Sequence, residues 1–299
     1  MLIFLDIGLL QCYTLTYRRT KGELMEKIVE IRASGDGFPM LMRDFLHSLK
    51  LSTTVIKEAK RAGIFLNGVP VTVRATVNQS DLVEVYVSES RSDGIPPMDI
   101  PLTVLYEDDD VLAVDKPTNM PTHPSKGNNL PTLANAVMAY YGGNFVFRSV
   151  NRLDRDTSGV VIIAKNKLSA SALSRSMKNG EWQKTYHALV SGVPKEKSAI
   201  IDAPIERVCE GNIKRCVRED GKRAITEYKT VEEYGDSALL EISLKTGRTH
   251  QIRVHMAHLG HPLVSDFLYG TPSEKEYYLR CKEITFPHPK SNKKLIIKA

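Results

Sequence analysis

Beyond residue 102 the chain reads as a succession of strands that helices interrupt only irregularly. The runs LTVLYED, VLAVDKP, GVVIIAKN, TYHALVSG, AITEYKTVEEY and SALLEISLK either alternate apolar with polar residues or form short apolar stretches rich in β-branched side chains. Helices are predicted at about residues 132–141, 169–179 and 249–259. Strands that outnumber helices, and do not alternate strictly with them, argue against a doubly wound parallel fold. They predict an α+β domain built on a mixed or antiparallel sheet.

The sharpest composition break lies upstream, at SESRSDGIPPMD, residues 88–99. It is polar and carries Gly94 and the pair Pro96–Pro97, which suits an interdomain linker. The chain then divides into an N-terminal extension (1–25), a small α+β domain (26–88), a linker (89–99) and a large domain (100–299). In the small domain Met40, Leu41, Phe45, Leu46 and Leu49 recur at helical spacing, and a second helix is predicted over Thr53 to Ala62. Lys57, Lys60 and Arg61 fall on one face of that helix, opposite Val55, Ile56 and Ala59. Such a face is either solvated or a phosphate-binding surface. Asn67–Gly68 predicts a tight hairpin, and DLVEVYV a last strand.

A net charge of +6 leans toward a polyanionic partner. Cys12, Cys209, Cys216 and Cys281 contain no C-x-x-C pair, so they read as reduced thiols in the cytoplasm. The apolar start, Met1 to Leu10, is interrupted by Asp6 and too short to span a bilayer. It reads as an extension or short strand, with Met25 as a second candidate start, and no membrane association is expected. His250, His255, His258 and His261 do not follow H-E-x-x-H spacing, and Ile252, His255, Met256 and Leu259 share a helical face. They are read as packing, capping or RNA-contacting residues, and no metal is expected. Gly35 to Gly37 lacks the third glycine and the strand–helix context of a nucleotide loop.

The segment NRLDRDTSGVVIIAKN, residues 151–166, concentrates chemistry. A charged turn feeds a buried strand, and a strand end can fix a reactive side chain. Asp154 and Asp156 lie two residues apart, Thr157 and Ser158 can bond the turn backbone, and Gly159 permits an unusual dihedral. On these residues alone, Asp154 either caps the turn or reacts.

This segment resembles the signature H-R-L-D-x-x-T-S-G of the RluA-type pseudouridine synthases, with Asn151 in place of the histidine. VLAVDKPTNMPTHPS from Val111, KTYHALVSG from Lys184 and LKTGRTHQIRVHMAHLGHPLVSD from Leu244 resemble further family blocks in the same order. The resemblance implies a cofactor-free enzyme that detaches uracil from its sugar, rotates it and rejoins it through carbon 5. It implies Asp154 as the nucleophile, acting on sugar or base, and Tyr186 as the residue that stacks on uracil and helps remove the carbon-5 proton. It implies Arg248 as the cation beside the aspartate and Arg152 as the side chain that enters the RNA stack when the uridine flips out. Residues 26–88 resemble, more loosely, the alpha-L RNA-binding motif; Arg43-Asp44-Phe45-Leu46 and Gly63 to Gly68 carry the likeness, whereas Gln79-Ser80-Asp81 departs from it. That likeness implies RNA contact by Lys57, Lys60 and Arg61, with ribosomal RNA as the first expected substrate and transfer RNA the second.

Two rival readings are weaker. A non-catalytic RNA-binding factor would not need the set Asp154, Tyr186 and Arg248. A glycoside hydrolase using Asp154 and Asp156 would need carboxylates flanking a sugar, which neighbours on one turn do not provide by themselves.

Overall fold

The computed structural model describes residues 17–20, 23–49, 51, 53–88, 94–125 and 131–299. It divides into two compact units. The first takes in residues 1–92 with 166–172, the second residues 93–165 with 173–299.

In the first unit, β1 (Tyr17–Thr20) and β2 (Glu23–Arg32) are followed by β3 (Met40–Leu41), α1 (Met42–Ser48) and α2 (Thr53–Ala62). β4 (Gly63–Leu66), β5 (Val69–Val71), β6 (Thr76–Val77) and β7 (Leu82–Ser88) complete it. Five strands form an antiparallel sheet in the order β1-β2-β7-β4-β5, and β3 pairs with β6. Strand structure thus starts before the expected boundary at residue 26. Asn67 and Gly68 both have positive φ, 51° and 79°, as a two-residue hairpin between right-twisted strands requires. The Asn67 side chain accepts from the Leu82 amide at 2.8 Å and donates to Asp81 at 2.7 Å, which locks the hairpin to β7. Met42, Phe45 and Leu46 of α1 and Val55, Ile56 and Ala59 of α2 are buried with Ile28, Ile64, Val83 and Val85 of the sheet. Lys57, Lys60 and Arg61 are exposed, as the helical phase predicts.

From residue 94 the chain runs through β8 (Thr103–Glu107), β9 (Val111–Lys116), α3 (Leu133–Tyr140), β10 (Ser158–Ala164) and α4 (Lys167–Lys178), of which only residues 173–178 fall in the second unit. It continues through β11 (Gln183–Ser191), β12 (Ser198–Asp202), β13 (Ile205–Arg207), β14 (Arg215–Val217), β15 (Ile225–Glu233) and β16 (Ser237–Leu244). α5 (Gln251–His258), β17 (Leu279–Pro287) and β18 (Lys294–Lys298) end it. A nine-stranded sheet runs β12-β15-β16-β11-β17-β10-β9-β8, with β18 also on β17. β10 and β17 are parallel and the other pairs of this sheet antiparallel, so the sheet is mixed. β13 and β14 form a separate hairpin. α3 starts on a capping box: Thr132 and Asn135 exchange side-chain to backbone hydrogen bonds.

β10 occupies the middle of this sheet, and its Val160 to Ala164 are fully buried. Gly159 begins the buried run with φ +110°. A Cβ there would lie 2.1 Å from the Cys281 carbonyl oxygen, so only glycine lets β10 approach β17 this closely. Among the described residues, no helix is long and apolar enough to cross a membrane.

Candidate active site

The turn that delivers Asp154 into β10 is fastened by polar groups from the end of β9 and the segment after it. The Thr122 hydroxyl donates to the Leu153 carbonyl at 2.9 Å and accepts from the Leu153 amide at 3.2 Å. The Met120 amide bonds the Arg155 carbonyl at 3.0 Å, and the Thr118 hydroxyl bonds the Asp156 carbonyl at 2.9 Å. Lys116, wholly inaccessible, donates to the carbonyls of Pro117, Met120 and Arg155 at 2.8, 2.7 and 3.1 Å. Burial pulls its pKa down to about 8 against the pull of Asp156, Asp154 and Asp115. Three carbonyl acceptors match the three donors of an ammonium, so Lys116 acts as a charged staple under the turn. Asn151 is a second staple. Its amide nitrogen donates to the Val160 carbonyl at 3.1 Å and its oxygen accepts from the Ile162 amide at 2.8 Å. Asn151 thus ties the turn to β10 without an imidazole.

Asp154 is itself about one third exposed. Its Oδ2 lies 3.9 Å from Nη1 of Arg253 and 3.9 Å from Nε2 of His250. Arg253 is held from the other side by Asp266 through two hydrogen bonds of 2.7 Å, and both residues are buried. Burial acts to lower the Arg253 pKa, but the Asp266 hydrogen bonds and neighbouring negative groups carry it upward. Asp266 also accepts from the amides of Leu268 and Tyr269 at 2.9 and 3.2 Å, so the carboxylate that aims Arg253 is itself fixed. The guanidinium sits 5.1 Å from the ring centres of Phe267 and Tyr269 and 5.9 Å from that of Tyr277.

Arg248 occupies a different place from the one expected. Its Nε donates to the Arg223 carbonyl at 3.0 Å, and its amide to Gln251 Oε1 at 2.9 Å. Arg248 belongs to the turn before α5, whereas Arg253 belongs to the helix, whose residues Gln251 to Met256 are all buried. The helix therefore carries Arg253 inward toward Asp154, while Arg248 stays on the rim beside the β14–β15 connection.

Tyr186 is buried on β11, opposite Cys281 of β17, where the strand register shifts between Thr185 and Tyr186. Such a shift re-aims a side chain. Burial, then Cys281 and Asp154, raise the Tyr186 pKa well above its ordinary value. It is therefore a neutral phenol at physiological pH, suited to packing and hydrogen bonding more than to taking a proton. Arg152 is exposed beside the turn, with its side chain available to a partner. Among the described residues no group of three or more His, Cys, Asp or Glu side chains is arranged to hold a metal.

Sequence reasoning did not assign roles to Lys116, Arg253 or Asp266. Lys116 looks like any lysine ending a strand. Arg253 and Asp266 are thirteen residues apart, and only the buried stretch Gln251 to Met256 of α5 signals that an arginine on it needs a partner.

The model of the family described as RNA pseudouridylate synthase matches residues 110–258. An RNA pseudouridine synthase of Bacillus subtilis named YjbO, called uncharacterized, is 34% identical over 258 residues, covering 84% of this chain and 91% of its own. Ribosomal large subunit pseudouridine synthase D of Xanthomonas campestris is 38% identical over 251 residues, covering 83% and 75%. The solved structure of human RNA pseudouridylate synthase domain containing 1 superposes with a TM-score of 0.59 at 27% identity, covering 68% of this chain and 85% of that one. The chain belongs to the RNA pseudouridine synthases, enzymes that isomerise uridine within RNA.

Proposed function

We propose that the chain converts uridine to pseudouridine in structured RNA, with Asp154 as the reacting carboxylate and large-subunit ribosomal RNA as the substrate, in the cytoplasm. The observation that carries this reading is Asp154 itself: a partly exposed carboxylate on a turn stapled by buried groups, with a buried cation 3.9 Å away. The reaction breaks the bond from N1 to the sugar, turns the uracil and forms the bond from carbon 5 to the same sugar carbon. The carbon-5 proton leaves and N1 gains one, so no atom is added or lost. A carboxylate nucleophile divides that exchange into easier steps, whether it acts on the sugar or the base. Arg253, its cation 3.9 Å from Oδ2, orients the carboxylate. Tyr186 packs against the uracil. Arg152 fills the space left by the extruded nucleotide, since a base within a duplex is out of reach. Lys57, Lys60 and Arg61 contact phosphates.

Ribosomal RNA is supported by the relative of Xanthomonas campestris, whose name gives the large ribosomal subunit as its target. The test is pseudouridine mapping across total RNA from cells with and without the protein. One or a few sites lost from large-subunit ribosomal RNA are expected. Loss confined to transfer RNA would replace the substrate, and no loss anywhere would overturn the assignment.

A further inference from the structure

We propose that His250 is a positioning residue for Asp154, acting as a neutral imidazole whose Nε2–H is directed at Oδ2 and whose tautomer is fixed by Tyr269. The inference deepens the reading of Asp154 as the reacting carboxylate and rests on it.

His250 is the N-cap of α5 and has φ 58° and ψ 18°, the left-handed region that a non-glycine residue adopts only when its surroundings impose it. That conformation places the imidazole between two partners. Nε2 is 3.9 Å from Asp154 Oδ2, and Nδ1 is 2.9 Å from the Tyr269 hydroxyl. The hydroxyl also accepts a hydrogen bond from the Arg215 amide at 2.9 Å. A phenol has a single proton. With Arg215 donating to its oxygen, that proton is free to go to Nδ1, and in the arrangement proposed Nδ1 accepts it. A neutral imidazole that accepts at Nδ1 carries its own proton on Nε2. The donor therefore faces Asp154. The gap of 3.9 Å exceeds a hydrogen bond, and such contacts tighten when substrate binds. Arg253 approaches the same oxygen, also at 3.9 Å, so both partners anchor Oδ2 and leave Oδ1 to react.

The arrangement is rigid. Tyr269 packs with Val217 against the buried set Ile205, Ala224 and Val254, which joins the β13–β14 hairpin to α5. The groups facing His250 are Asp154 on the catalytic turn, Arg253 on α5, Asp266 after it, and Arg215 and Tyr269. Burial, the largest influence, with Arg253 and Arg215 holds the imidazole below its ordinary value of 6.5, against the pull of Asp154 and Asp266. At neutral pH it is uncharged, as acceptance at Nδ1 requires.

The experiment measures pseudouridine formed in total RNA from cells lacking the protein, as kcat and KM across pH, for wild type, His250→Asn and Tyr269→Phe. Asparagine tolerates the left-handed backbone, so the first variant removes the ring without adding strain. His250→Asn should lose about 10²-fold in kcat with KM within twofold, the loss expected when a reacting group is mis-aimed by about 1 Å. Tyr269→Phe, which frees the tautomer but keeps the ring, should lose roughly tenfold, a smaller misplacement. Wild-type kcat should fall at a pH below 6.5 as the imidazole charges, and His250→Asn should lack that fall. A His250→Asn kcat within threefold of wild type, a loss appearing in KM, or an unchanged acid limb would each overturn the proposal. Wild type forming no pseudouridine would instead overturn the catalytic reading beneath it.

Discussion

The turn proposed to be catalytic and the basic face of α2 contrast in how their side chains are held. Around Asp154, Lys116, Thr122 and Asn151 are buried and bonded to the backbone, and Arg253 is gripped by Asp266. On α2, Lys57, Lys60 and Arg61 are exposed, while only the opposite face is packed. Chemistry at one bond needs a reacting atom held to a fraction of an ångström. Phosphate attraction is long-ranged and tolerates motion. The two regions should therefore answer mutation differently: the turn in rate, the helix face in affinity.

The largest effect belongs to the turn. Asp154→Asn keeps shape but removes the carboxylate proposed to react, so single-turnover rate should fall on the order of 10⁴-fold or more. RNA affinity should stay within about twofold, as loss of a carboxylate removes no phosphate contact. A rate within tenfold of wild type would erase the contrast.

Next comes the foundation of β10. Gly159→Ala brings a Cβ to 2.1 Å from the Cys281 oxygen at a φ of +110°. Steric overlap combined with backbone strain predicts a loss of roughly 4 kcal/mol or more, or failure to fold. Denaturant titration reads it directly. A wild-type midpoint would mean that β10 and β17 part easily and that the turn is less rigid than described.

The α2 face should yield a smaller, distributed effect. Replacing Lys57, Lys60 and Arg61 by alanine should flatten the log–log salt dependence of RNA binding by roughly two to three units. The rate at saturating RNA should hold. An unchanged slope would remove this face from the RNA footprint.

The smallest effect is on stability against pH. His250 and His255 are both held below 6.5, chiefly by burial. The unfolded chain therefore takes up protons first as pH falls, so stability is present above 6.5 and declines below it. The melting temperature should drop between pH 7.5 and 5.5, the values bracketing the ordinary histidine pKa of about 6.5. A rise over that interval would contradict the buried neutral imidazoles.

Much of the fold was readable because burial on a sheet leaves a period. The six strands expected after residue 102 all occur, as β8, β9, β10, β11, β15 and β16, and α2 spans the residues its phase predicts. β13 and β14 were missed because three polar-rich residues each carry no period and depend on their hairpin partner. β17 was missed because Lys282 and Glu283 interrupt its alternation. Asp154 and Tyr186 were singled out through their surrounding motifs, and the structure brings them near enough for the Asp154 charge to raise the Tyr186 pKa. The motif assigned the aspartate's cation to Arg248, whereas the structure places Arg253, five residues later, beside Asp154. Which of them faces inward depends on where α5 begins, and the left-handed cap at His250 sets that. Lys116 was invisible because its role lies in three backbone carbonyls that sequence does not bring together.

The central claim is that Arg253, and not Arg248, aims Asp154. Single-turnover rates and RNA affinities for Arg253→Lys and Arg248→Lys on one RNA substrate test it most directly. A lysine keeps the charge but loses the planar fork that bridges Asp266 and Asp154. Arg253→Lys should slow the reaction about 10²-fold with affinity nearly unchanged, as a misplaced carboxylate predicts. Arg248→Lys should react within a few fold of wild type, because its guanidinium lies on the rim. The reverse ranking, with Arg248→Lys crippled and Arg253→Lys intact, would contradict the account.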